Sequence, residues 1–384
     1  MKKKIIMKVL FLTNLPSPYM VNFLNELGKI CNLTVLFERG ESSERNGRWD
    51  CYKFDSFDGI ILKGIPMSPD SALAIGVLKW LKNKYDYIII ANPMTPTGIL
   101  AQFFLKMKKI PFILESEGSF HKSGVGIKEK LKFYLVSNAS CFLSTTAKAD
   151  EYFEFYGAER KKIFHYPFTS LYERDILERV LDTNEKEKLR KEFGIRGTKL
   201  VTAVGRLIKL KNYNILLEAW GKIRECDWSL AIIGEGEEEA TLKEYVKTNN
   251  LLNVYFVGYK DKKTVMEYLK ASDIFVHPTS TDVWGLVINE AMACGQPIIT
   301  TDMCIAGSAL IEDGVNGYIV KVGDSEAIKN KIEYILQNED ICKSMGENSL
   351  HKIKKYTYEE MAASHLRILN QEETRKYACI SEQR

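Results

Sequence analysis

No stretch of the 384-residue chain approaches the ~20 consecutive apolar residues of a membrane-spanning helix, so a helical integral membrane protein is not indicated. Its eight cysteines (Cys31, Cys51, Cys141, Cys226, Cys294, Cys304, Cys342 and Cys379) form no C-x-x-C pair and no His-paired metal spacing. A reduced cytosolic protein, with most of these thiols as small core residues, is the simplest account. Internal repeats and low-complexity tracts are missing. The opening MKKKIIMKVLFL has a basic head but runs straight into TNLPSPY without a small-residue cleavage pattern. It reads as a first buried strand rather than a signal peptide.

What is present is enough apolar content, 45%, to build two cores in a chain of this length. The formal net charge of +4 hides an asymmetry: residues 1–165 carry 24 Lys and Arg against 16 Asp and Glu, and the remainder 30 against 34. No recognisable nucleic-acid-binding module accompanies the basic half, which sets nucleic acid aside as a partner.

Apolar runs rich in β-branched residues alternate with helical patterns along the whole chain. In the first part, strands are expected at 7–12, 33–37, 85–90, 111–114 and 141–144, with helices over 19–30, 97–107 and 147–156. A charged segment, 166–195, breaks the rhythm and reads as a connector. The alternation restarts with strands at 199–205, 228–234, 254–258 and 273–278, and the last helical segment covers about 358–376. Strand–helix alternation implies parallel sheets covered on both faces. The expectation is therefore an α/β chain of two Rossmann-like domains, 1–165 and 196–357, facing across a cleft, with 358–384 as a C-terminal helix that crosses back to the first domain. Ligands of such sheets bind at the carboxyl ends of the strands.

One stretch carries two carboxylates at such an end: TSTDVWGLVINEAMACGQPIITTD, residues 279–302, holds Asp282 and Glu290. Residues 279–284 read as a polar loop, 286–294 as a helix stopped by Gly295, and 297–300 as a buried strand. Asp282 then precedes a helix whose first-turn N–H groups after Trp284 and Gly285 favour an anion, and Glu290 lies inside it. Taken alone, such carboxylates often serve only as caps or dipole partners. Arg206 ends the first strand of the second domain and Lys211 precedes the next helix. A guanidinium fork and an ammonium together suit a diphosphate, although a solvated loop would place lysines there too. Gly234 and Gly236 allow close backbone approach at the next strand end, a weak signal by itself.

In order and spacing, GRLIKLKN, IIGEGEEEATL, VYFVGYKDKKTVMEYLKASDIFVHPT and TDVWGLVINEAMACGQPIITTD resemble the second domain of retaining GT-B glycosyltransferases of family 4. The resemblance is strong over about 199–319 and looser before it. It implies that Arg206 and Lys211 hold the donor diphosphate, that Glu290 binds the ribose hydroxyls, and that Asp282 meets the transferred sugar. It further implies that the backbone of Trp284, Gly285 and Leu286 faces sugar and phosphate, and that Gly258, Tyr259 and Lys260 border the base, with Gly234 close to the donor. Cations and helix N–H groups there would stabilise the charge that grows on a departing diphosphate.

Three departures from the family pattern stand out. The first acid of E-x7-E is Asp282, one methylene shorter, which affects the choice of donor sugar. NLPSPY replaces the usual glycine-rich loop after the first strand, so contacts there must come from Asn14, Ser17 or Tyr19, since Pro16 and Pro18 have no N–H. The Asn-Gly turn between domains becomes HYPF at 165–168. On the acceptor side, His121 is the resemblance-based match for a His that contacts the transferred sugar, with Glu115 and Glu117 competing for a catalytic or acceptor-binding role. No D-x-D occurs, and no metal or other cofactor is expected beyond the nucleotide sugar as co-substrate. The segment 121–136 is expected to form a helix with Ile127, Leu131, Tyr134 and Leu135 on one side and Lys128, Lys130 and Lys132 around the rest. It suits either a solvated helix packed on its own sheet or an anionic membrane surface, where a lipid-linked acceptor would bring a cytoplasmic enzyme to the inner face of the membrane. The function expected is retaining transfer of a sugar from a nucleotide-diphosphate donor to a glycan acceptor in surface polysaccharide biosynthesis. A sugar-nucleotide 2-epimerase of similar build and a nucleotide-sugar-binding protein without turnover are the alternatives.

Overall fold

A computed structural model of the chain describes residues 7–42, 53–118, 126–224 and 227–380. These divide into two compact units, one formed by the chain up to Thr169 together with the segment from Tyr358 onward, the other by Ser170–Thr357.

The first unit contains β1 (Lys8–Thr13), β2 (Asn32–Phe37), β3 (Asp58–Ile61), the short hairpin strands β4 (Ile65–Ser68) and β5 (Ser71–Leu73), β6 (Tyr87–Ile90), β7 (Ile113–Glu115), β8 (Cys141–Ser144) and β9 (Ile163–His165). Seven of them form a parallel sheet in the order β3-β2-β1-β6-β7-β8-β9. The second unit has β10 (Lys199–Val204), β11 (Trp228–Ile233), β12 (Val254–Gly258), β13 (Ile274–His277), β14 (Ile298–Thr301) and β15 (Gly317–Val320), parallel in the order β12-β11-β10-β13-β14-β15. Setting the hairpin aside, both sheets follow the doubly wound order in which the first strand lies in the middle and the chain reverses direction beside it. Apart from Lys8 at the start of β1, the central strands are buried along their length, as expected where helices cover both faces.

Several elements depart from the sequence expectation. Strands β3, β4, β5, β9 and β15 are too short, or too polar at their edges, to stand out as apolar runs. The segment 166–195 is not a separate connector: it divides between the units at Thr169 and Ser170. Its helix Thr183–Glu192 starts with a capping box of Asp182 and Glu185 and packs on the helix Lys262–Ala271. That helix turns two cations inward, and Lys186 and Arg190 reach Asp273 at 3.2 and 2.7 Å with all three side chains buried. Leu200 N donates to the same carboxylate at 2.8 Å. At the other end of the chain, the helix Tyr358–Asn370 packs on Pro18–Gly28, and Tyr87 donates its hydroxyl to Leu369 O at 2.6 Å. Of the expected basic helix 121–136, residues 126–136 are described, with helix over Ile127–Val136. Ile127 is 88% exposed rather than packed, Tyr134 is exposed, and Leu135 is buried. No helix among the described residues is long and apolar enough to cross a membrane.

Asp273→Asn leaves two buried cations without their counter-charge. Such a loss typically costs about 3–5 kcal/mol, so chemical denaturation of this variant should show a correspondingly lowered midpoint.

Candidate active site

The second sheet reverses direction between β10 and β13, and the loops leaving those strands carry the charged residues. Arg206 follows Gly205 at the end of β10 and is exposed. The turn Lys209–Lys211 brings Lys211 back, and Asn212, in left-handed backbone at φ 54°, opens the helix Tyr213–Lys222. The loop after β13 is tied to this turn, since Ser280 N and Thr279 Oγ1 donate to Leu210 O at 2.8 and 2.9 Å. Lys211 and Asp282, 71 residues apart, are thereby joined: Lys211 Nζ donates to Asp282 Oδ2. His277, the last residue of β13 and 2% exposed, donates from Nε2 to the same oxygen at 2.9 Å. Burial works against the Asp282 charge, but the hydrogen bond and charge of His277, with Lys211, outweigh it and hold this carboxyl well below its usual range. Burial, with the Lys211 charge, lowers the His277 value against the pull of its carboxylate partner. Both contacts fall on Oδ2, which turns Oδ1 into the acceptor for a further donor.

Gly285 shapes the helix start. Its φ of +95° suits glycine, and a Cβ there would lie 3.2 Å from Cys304 Sγ and 3.5 Å from both Asp282 Oδ2 and His277 Nε2. Trp284 is 3% exposed and donates to Asn289 Oδ1 at 2.8 Å, while its carbonyl accepts from Ala306 N and Cys304 Sγ. This ring is therefore core, and any ligand contact falls to the backbone from Gly285 and Leu286 onward. Glu290 lies in the helix Leu286–Ala293, half-buried, and accepts from Ser170 Oγ at 2.9 Å. Gly234 has a structural role of its own, because a Cβ there would meet Gly205 O at 1.9 Å. At the end of β12, Gly258 accepts from Gly234 N at 2.9 Å, Tyr259 is exposed and Lys260 half-buried. In the sequence His277 ends a strand and reads as a packed or hinge residue, not as a site residue, and Ser170 is not singled out at all. The strand-end position is the signal that marks His277, whereas nothing in its neighbourhood marks Ser170.

In the first unit, Asn14 Oδ1 accepts from Leu15 N at 2.8 Å and so closes its own turn, and Ser17 is buried at the start of the helix Pro18–Gly28. Tyr19 donates to Glu117 Oε1 at 3.3 Å. Glu115 is not open to an acceptor, being 1% exposed and facing His365 Nε2 at 3.3 Å. His365 Nδ1 donates to Met361 O at 2.8 Å, so the contact with Glu115 needs a proton on one of the two partners. Among the four acceptor-side candidates besides Glu117, only Tyr19 reaches it. His121 lies outside the described residues.

Residues 185–352, nearly all of the second unit, match the family described as glycosyl transferases group 1. Over those residues the chain is similar to the group 1 glycosyltransferases. Among similar sequences are the N-acetyl-alpha-D-glucosaminyl L-malate synthase of Bacillus anthracis, 31% identical over 204 residues (52% of this chain, 51% of the relative), and the mannosylfructose-phosphate synthase of Agrobacterium fabrum, 29% identical over 251 residues (57% and 54%). The chain thus spans about half the length of these relatives. Among solved structures, Anabaena Alr3699/HepE in complex with UDP is similar with a TM-score of 0.77 at 17% identity, over 94% of this chain and 99% of that one. The fold is therefore that of the GT-B glycosyltransferases, built on two Rossmann-like domains.

The first domain of this glycosyltransferase-like chain holds two carboxyls pushed upward. Burial, then the neighbouring Glu115 charge, raises Glu117 from 4.5 to about 7 against the pull of Tyr19. Burial likewise raises Glu38 from 4.5 to about 7, against hydrogen bonds from Thr95 and Ala72 N. Each folded state binds its proton more tightly than the unfolded chain, so its contribution to stability is full below pH 4.5 and is lost as pH rises to about 7. Melting temperature should fall across that window, and Glu117→Gln combined with Glu38→Gln should flatten the profile in a thermal-shift series.

Proposed function

We propose that the protein is a retaining glycosyltransferase that moves a sugar from a nucleoside-diphosphate donor to a glycan acceptor in surface polysaccharide synthesis. The observation that carries this reading is the contact of Lys211 with Asp282, which joins the loops leaving β10 and β13 beside the reversal of the second sheet, with Arg206 just past the end of β10. Lys211 brings a cation to a partly buried site, where Asp282 balances it. An arriving diphosphate offers a denser negative charge, to which Lys211 and the Arg206 fork respond. His277 keeps Asp282 oriented while Lys211 turns to phosphate, so that Oδ1 is aimed at a hydroxyl of the transferred sugar. Glu290 takes the ribose hydroxyls. As the glycosyl–phosphate bond breaks, charge accumulates on the diphosphate, and the two cations with the first-turn N–H groups after Gly285 stabilise it more than the ground state. Names among the similar proteins support a biosynthetic transfer, since mannosylfructose-phosphate synthase and an amylovoran biosynthesis glycosyltransferase of Erwinia amylovora are among them.

A lipid-linked acceptor and attachment to an anionic membrane surface belong to the same proposal. On the helix Ile127–Val136, Ile127, Phe133 and Tyr134 are exposed beside Lys128 and Lys130, and Lys106 Nζ lies 3.7 Å over the Tyr134 ring. Lys132 pairs with Glu129 at 3.0 Å and adds less. Apolar side chains flanked by lysines are what an acidic lipid surface attracts.

Arg206→Ala or Lys211→Ala should lower transfer by on the order of 10²–10³-fold with an unchanged melting curve, measured as nucleoside diphosphate released together with a new glycoside. Full activity in either variant sinks the reading, and interconversion of the nucleotide sugar without glycoside formation points to an epimerase. For the membrane, co-sedimentation with vesicles of acidic phospholipid is expected and should be lost in Lys128→Glu/Lys130→Glu; no binding by the wild type removes that part of the proposal.

A further inference from the structure

The chain enters the second unit at Ser170, and this residue is tied directly to the carboxylate assigned to the ribose. Ser170 is 4% exposed. Its Oγ donates to Glu290 Oε1 at 2.9 Å, and its carbonyl accepts from Lys262 Nζ. Lys262 also holds Asp175 Oδ2 at 3.1 Å, and Asp175 accepts from Tyr172 N at 3.0 Å. Lys262 is itself fixed at the first position of a helix capped by Asp261, whose side chain accepts from Thr264 N at 2.8 Å. Two residues beyond Asp175, Leu177 N donates to Ala293 O at 2.9 Å, at the far end of the helix that bears Glu290. The strand of chain from 170 to 177 is thus fastened along that helix at both ends.

We infer that Ser170 is a positioning residue for Glu290: its hydroxyl occupies one carboxylate oxygen and turns the other toward the ribose hydroxyls of the donor. The inference rests on the donor-binding role proposed above for Glu290. A glutamate side chain turns about three bonds, and holding it in one rotamer costs free energy that must come from binding unless the protein supplies it beforehand. Ser170 supplies it, and Lys262 in turn fixes Ser170 through its carbonyl. Burial raises the Glu290 carboxyl above its ordinary value; the Lys262 charge and the Ser170 hydroxyl oppose the rise, and the Asp175 charge adds to it.

The test compares uridine, guanosine and adenosine diphosphates by calorimetry, takes the one that binds wild type most tightly, and sets it against its 2′,3′-dideoxy form. Wild type should prefer the ribose form by about tenfold or more, the worth of a hydrogen bond to a charged group. Ser170→Ala should weaken the ribose form about five- to tenfold, change the dideoxy form less than twofold, and leave melting unchanged. Ser170→Thr should restore the preference, and Ser170→Cys, a weak donor, should fall between. If Ser170→Ala keeps the wild-type preference, or weakens both nucleotides equally, the positioning role is overturned while the donor reading stands. If wild type shows no preference for the ribose form, the role of Glu290 itself fails, and the inference with it.

Discussion

A parallel sheet with its first strand in the middle must send neighbouring connections to opposite faces, and this constraint organises both units of the chain. Between β10 and β13 the order of strands reverses, which opens a crevice at their carboxyl ends. The loops that border it then have to be held by each other, and Leu210 O, accepting from both Thr279 and Ser280, does so. With the loops fastened, a lysine on one and an aspartate on the other fall within contact.

Electrostatics then decides the state of that pair. Asp282 is shielded enough for burial to oppose its charge, yet two donors converge on one of its oxygens and keep it ionised. Gly285 brings the helix start close to Asp282 and His277, since a Cβ there would stand 3.5 Å from both Asp282 Oδ2 and His277 Nε2.

The first unit uses buried polar groups differently. Glu115, Glu117, Tyr19 and His365 form contacts among themselves, with the Tyr166 and Phe23 rings each 4.7 Å from the imidazole. Because His365 comes from the helix Tyr358–Asn370, the end of the chain completes the interior of the domain that its beginning founded. Glu115 looked like an acceptor-side residue from its place at a strand end, but the side of the strand it faces is covered by that returning helix. Glu117, two residues on and past the strand, keeps partial access.

The alternation of apolar runs and helical patterns was enough by itself to determine two doubly wound α/β domains, since local periodicity is what a strand or a helix buries. It also placed Arg206, Lys211 and Asp282 in loops at the carboxyl ends of strands, whereas the donor-binding roles proposed for them and for Glu290 come from the motif resemblance. Short edge strands such as β9 and β15 were not legible, because an edge needs only a few half-buried residues. Tertiary structure alone decided the pairings: Lys211 with Asp282 across 71 residues, Ser170 with Glu290 across 120, and Glu115 with His365 across 250. Contacts at such separations leave no periodic trace in the chain, and whether a polar side chain is exposed, spent on a neighbour or left to meet a ligand depends on what the fold lays over it.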